Sequence, residues 1–86
     1  MANILAIKKR MIERVKMRRR EGKISQKELS VRSGVSYASI RRFENTGEIS
    51  TTALLRIAIV LGHEADFDRI FERKNYQSLD EIINAK

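Results

Sequence analysis

The stretch QKELSVRSGVSYASIRRFEN, residues 26–45, decides the fold. It reads as two helices of about eight and nine residues joined by Gly34-Val35-Ser36. Ser25 and Glu28 supply an S-x-x-E capping box at the first of them. There the hydroxyl accepts the amide three residues on, and the carboxylate reaches back. Gly34 stops that helix, because glycine enters the left-handed region without a steric penalty. A three-residue link is too short for an antiparallel hairpin, so the two helices must cross steeply. So close a crossing needs a small residue where the helices touch, and Ser30, four before Gly34, is the expected one. Leu29, Val35, Ile40 and Phe43 then fill the shared core.

Outward from this pair the chain continues as short helices. Ile4, Ile7, Met11 and Val15, joined by Leu5 and Ile12, form an apolar stripe at helical spacing from Ile4 to about Arg20, and Gly22 ends it. After the pair, a helix capped near Ser50 or Thr51 carries Leu54, Leu55, Ile57, Ala58 and Leu61 and stops at Gly62. Asp66 to Arg73, with Phe67, Ile70 and Phe71, is expected to form a fifth helix. Ser78-Leu79-Asp80-Glu81 is a second capping box, opening a small terminal helix with Ile82 and Ile83. No stretch shows strand alternation, so the class is all-α.

Composition bounds what such a chain does. Its 86 residues allow one small domain, and a core of that size stabilises weakly without help. With no Cys there is neither a disulfide nor a Cys-His set for structural zinc, which makes a homodimer the expected way to bury more surface. Eighteen Lys and Arg face eleven Asp and Glu, a net charge of +7. The excess sits at the front: residues 1–23 hold nine basic and two acidic side chains, whereas residues 63–86 hold four and six. A basic front points to a polyanion, either nucleic acid or an anionic membrane. The membrane reading is the weaker, because the stripe of the first helix is already needed for the core. The apolar run Ala2–Ile7, broken by Lys8-Lys9-Arg10, is too short for a signal segment or a membrane span, and a cytoplasmic protein is expected. No Ser-His-Asp set, phosphate loop or paired-carboxylate site can be assembled, so neither an enzyme, a cofactor nor a metal site is expected. His63, the lone His, follows Gly62 at a helix end, where capping or exposure is its usual fate.

The crossing leaves Tyr37, Ala38, Arg41 and Arg42 on the outer face of the second helix. Such a face suits the major groove of double-stranded DNA, where Arg forks onto guanine and a methyl meets thymine. The segments Ile24 to Ser30, Ser33 to Ser36 and Ile40 to Asn45 resemble the helix-turn-helix of phage-repressor-like (Cro/C1, or XRE) regulators. The resemblance implies a compact four- to five-helix, lambda-repressor-like domain over residues 1–62, with the motif at 26–45 and the recognition helix at about 37–45. A short helical extension, residues 63–86, follows as a dimer or partner element. Carried over by position, Ser36, Tyr37, Ala38 and Arg42 look base-facing, while Ser39, Arg41 and Asn45 lie near the backbone. Gln26 caps the first motif helix and contacts phosphate or braces the recognition helix, and the helix start at Thr51 holds another phosphate. Glu44 resembles an acidic position that pairs with Arg19. The chain departs from the family at Arg18, usually apolar, and at Ser30, usually Ala.

Three readings stay open at this point. Arg18, Arg19 and Arg20 are either a solvated helix end, where cations are favoured anyway, or include a phosphate contact, with Arg19 the candidate. Tyr37 either touches DNA or packs its ring on the domain. Ile59 and Val60 lie off the main stripe and, with Phe67, Ile70 and Phe71, suit a dimer face; alternatively residues 66–85 fold back over the fourth helix. The function implied is a sequence-specific regulator, a repressor acting as a homodimer on a palindromic operator. The rival is an antitoxin that binds a toxin through residues 63–86 and represses its own operon.

Overall fold

A computed structural model describes residues 3–74, which form five helices. They are α1 (Ile4–Glu21), α2 (Gln26–Ser33), α3 (Tyr37–Thr46), α4 (Thr51–Val60) and α5 (Glu64–Asp68). The described residues contain no strand. The fold is all-α, as the periodicity implies.

Four of the five helices start at a side-chain cap. Asn3 Oδ1 accepts from the Leu5 and Ala6 amides at 2.8 and 3.3 Å. Ser25, Ser36 and Ser50 each accept the amide three residues on, at 3.0, 3.1 and 3.1 Å. Each bond satisfies an amide that the helix itself leaves without a partner. The capping box at Ser25 is half formed: the Glu28 carboxylate turns to Arg32 on the next turn.

Leu29, Ile40, Phe43 and Ile57 are fully buried and hold the centre, with Ile12, Ile24, Val35 and Ala58 around them. In this arrangement α2 packs on both α3 and α4, α1 packs on α3, and α5 packs on α4. Gly34, at φ 75°, ends α2 and donates its amide to Ser30 O at 2.9 Å. Ser33 is the small residue buried at this turn, accepting the Val35 amide at 3.1 Å, whereas Ser30 is half-buried. Gly47, at φ 80°, marks a close approach: a Cβ there would lie 3.1 Å from Lys8 Cβ.

Gly22 caps the end of α1, as expected, in a right-handed conformation, and the next residue, Lys23, is left-handed at φ 56°. Two details differ from the sequence expectation. The apolar stripe of α1 is buried only from its middle onward, leaving Ile4, Leu5 and Ile7 exposed. The fifth helix is shorter and earlier than Asp66–Arg73; beyond Asp68 the chain turns, with Phe71 at φ 62° and 96% exposed. Ile70 and Phe71 find no core among the described residues, so no packing offsets the entropy of extending so short a helix. The expected terminal helix at 78–83 lies outside the described residues.

Candidate nucleic-acid interface

The anchor of this surface is buried. Arg19, at the end of α1, is 8% exposed, and Glu44 on α3 is 4% exposed. Arg19 Nε donates to Glu44 Oε2 at 2.9 Å and Nη2 donates to Oε1 at 3.0 Å, a two-pronged ion pair. A third donor, Arg19 Nη1, reaches Ile24 O at 2.9 Å. Gln26 Nε2, on the first residue of α2, also donates to Glu44 Oε1, at 3.0 Å. One carboxylate on the inner side of α3 therefore ties the end of α1 and the start of α2 to the same turn. Arg19 is spent on this network, so its candidacy as a phosphate ligand is withdrawn. A guanidinium held in the core by three bonds cannot also face a DNA backbone.

Opposite Glu44, α3 turns outward. Ile40, Phe43 and Glu44 face the core, while Tyr37, Ala38, Ser39, Arg41, Arg42 and Asn45 are all exposed. At the start of α3, Ser36 Oγ bonds Ser39 Oγ at 2.8 Å as well as accepting the Ser39 amide. The two hydroxyls thus form one polar unit at the helix N-terminus. Arg42 makes no ion pair among the described residues. Thr51 is exposed on the first turn of α4, beside the Ser50 cap.

Tyr37 is gripped between two cations. Lys27 Nζ lies 5.8 Å from the ring centroid and Arg41 Cζ 5.6 Å from it, both within cation–π range. The ring thereby bridges the start of α2 and the middle of α3. Lys27 is the residue the sequence reading missed. Its signal was available: a Lys in the first turn of a helix opposes the helix dipole, an arrangement that disfavours stability.

The structure thus gathers Gln26, Lys27, Tyr37 and Arg41 at the α2–α3 junction, with Ser36, Ser39, Ala38, Arg42 and Asn45 exposed or capping along α3. Among the described residues, no three or more His, Cys, Asp or Glu cluster to hold a metal ion, and no helix is long and apolar enough to cross a membrane. His63 Nδ1 lies 3.0 Å from Asp66 Oδ2, a local contact at the start of α5.

A helix-turn-helix family model matches residues 15–67, more than half of the chain and the whole of α2, α3 and α4. No curated protein and no solved structure matches the chain significantly.

Proposed function

We propose, since the chain belongs to the Cro/C1-type helix-turn-helix family and is a DNA-binding transcriptional regulator, that it is a repressor acting as a homodimer on a palindromic operator. The observation that carries this reading is the two-sidedness of α3. Its inner face is locked by Ile40, Phe43 and the Arg19–Glu44 pair, and its outer face is polar, basic and exposed. A rigid helix with such a face enters the major groove.

The base-facing set is Ser36, Tyr37, Ala38 and Arg42, with Arg42 forking onto a guanine and the Ala38 methyl against a thymine. Gln26, Ser39, Arg41, Asn45 and Thr51 contact phosphates, helped by the unpaired first amides of α2 and α4. Lys27 joins them. Repression is by occupancy and needs no catalysed step. The dimer is built on the outer side of α4, where Leu55 and Ile59 are exposed, with the exposed Ile70 and Phe71 further along the chain. Two copies so joined read half-sites about 34–36 Å apart, one turn of DNA. On this reading residues 1–62 are the DNA-binding domain and residues 63–86 the extension that carries partner contacts.

The experiment is enrichment of DNA fragments on the purified chain, followed by footprinting and by mass measurement of the complex. The expected result is a two-fold symmetric footprint holding two chains. An asymmetric footprint with one chain per site contradicts the dimer and the palindrome. The antitoxin reading has one observation in its favour, the almost complete exposure of Phe71, which suits an apolar partner surface. Co-purification with the product of a co-transcribed neighbouring gene is its test.

A further inference from the structure

A groove of about 820 Å³ runs between α1 and the corner of α4 with α5. That volume falls within the roughly 300–1,000 Å³ of small-molecule sites. Met11 from α1, Leu54 from α4 and Phe67 from α5 lie half-buried along it, so each keeps apolar surface that an apolar occupant would cover. On α1 the wall from Ile7 to Arg18 is about 17 Å long, which suits an elongated molecule better than a compact one.

The charge along this groove is one-sided. Arg10, Arg14 and Arg18 line it, spaced four apart and so on one face of α1. Arg10 and Arg14 make no ion pair among the described residues. Arg18 Nε, shielded from solvent, sits 3.1 Å from Glu21 Oε1 but outside hydrogen-bonding geometry. The lining holds a single carboxylate, Asp66 on the opposite wall, and its Oδ2 is 3.0 Å from His63 Nδ1. Three guanidinium groups against one engaged carboxylate leave donors on the α1 wall for an anion.

We propose that this groove binds an anionic amphiphile, a single aliphatic chain ending in a carboxylate. The chain lies along Met11, Leu54 and Phe67, and the carboxylate takes a two-pronged bond from Arg10 or Arg14, the geometry a planar guanidinium suits. A small anion alone leaves the apolar trough wet, and a neutral chain leaves the arginine row unused. A second copy laid along the groove sets Asp66 against that row and is the competing occupant; an amphiphile's carboxylate, unlike Asp66, has no protein partner to leave. The proposal does not depend on DNA binding, and it leaves the Leu55–Ile59 side of α4 free for the dimer.

The test follows amide signals of the ¹⁵N-labelled full chain while octanoate, 1-octanol or acetate is added at equal concentrations. The expected result is saturable shifts at Met11, Leu54 and Phe67 with octanoate and none at these residues with acetate. Octanol is expected to bind at least about tenfold more weakly, because it lacks the charged acceptor. Arg10→Gln combined with Arg14→Gln weakens octanoate by a similar factor, while the spectrum of the folded core is unchanged. Should that variant fail to fold, the comparison of octanoate with octanol on the parent chain still decides. No saturable shift at the groove overturns the proposal, as does equal binding of octanol or full affinity in the double variant. Shifts at the same residues with acetate reduce the site to a surface anion contact and overturn it too. Shifts there on diluting the ligand-free protein place a second copy in the groove and also overturn it.

Discussion

Arg19 and Glu44, 25 residues apart in sequence, meet in the core as a two-pronged pair, with Nε–Oε2 at 2.9 Å and Nη2–Oε1 at 3.0 Å. The same Glu44 oxygen accepts from Gln26 at 3.0 Å. The orientation of α3 is therefore set from behind, by a polar network rather than by apolar packing alone.

Removing one partner leaves the other charge buried. Arg19→Leu leaves Glu44 with only Gln26 and costs about 3–5 kcal/mol. Small domains have only about 5–15 kcal/mol of stability, so much of the fold's margin goes. Arg19→Leu with Glu44→Leu recovers part of the loss, because apolar replacement of a whole buried pair is often neutral. Urea unfolding of the single and double variants measures both. A loss below about 1 kcal/mol for Arg19→Leu contradicts the role given to the pair.

Arg41 and Arg42 are neighbours, yet adjacent residues diverge by about 100° around a helix, so they do different work. Arg42→Ala is expected to cost about 1–3 kcal/mol on the preferred site and to relax specificity at one base pair per half-site. Arg41→Ala weakens binding evenly across sequences and lowers the salt slope by about one contact. Titrations of matched and mismatched duplexes at several salt concentrations separate the two. Equal behaviour of both variants contradicts the assignment.

Lys27 sits where a helix prefers an acidic residue. Lys27→Glu is expected to leave the stability of the fold nearly unchanged, because about 0.3–1 kcal/mol gained from the dipole of α2 offsets the lost cation–π contact with Tyr37, worth about 0.5–1 kcal/mol at an exposed site. The same change puts a negative charge on the proposed DNA-binding face, so affinity falls. Thermal unfolding is expected to stay near that of the parent while DNA binding weakens. A variant that keeps full affinity removes Lys27 from the interface.

Left-handed backbone positions give a stability test free of DNA. Gly47→Ala meets both a positive φ and Lys8 Cβ at 3.1 Å, and loses about 1–2 kcal/mol or more. Lys23→Gly relieves a left-handed non-glycine and, after the flexibility cost of glycine, gains about 0.5–1 kcal/mol. Denaturant midpoints of the two variants are expected on opposite sides of the parent. A stable Gly47→Ala contradicts the close approach of α1 to the end of α3.

The helix starts were legible because their signals are local. Ser25, Ser36 and Ser50 each cap through an amide three residues away, and Gly34 takes the backbone conformation its position demands. The outer face of α3 followed from period alone. The pairing of Arg19 with Glu44 came from family resemblance; its burial did not, and that burial is what withdraws Arg19 from the phosphate set. The cation pair around Tyr37 depends on how α2 and α3 cross, a tertiary fact that no spacing encodes. The fifth helix was misjudged from apolar spacing, which cannot say whether a core exists for Phe71 to join.

The most direct measurement is selection from a random double-stranded DNA pool with the purified chain, repeated with Arg42→Ala. The expected result is a two-fold symmetric consensus that blurs at one position in each half-site in the variant. Enrichment without a consensus, or an identical consensus from both proteins, contradicts sequence reading by α3.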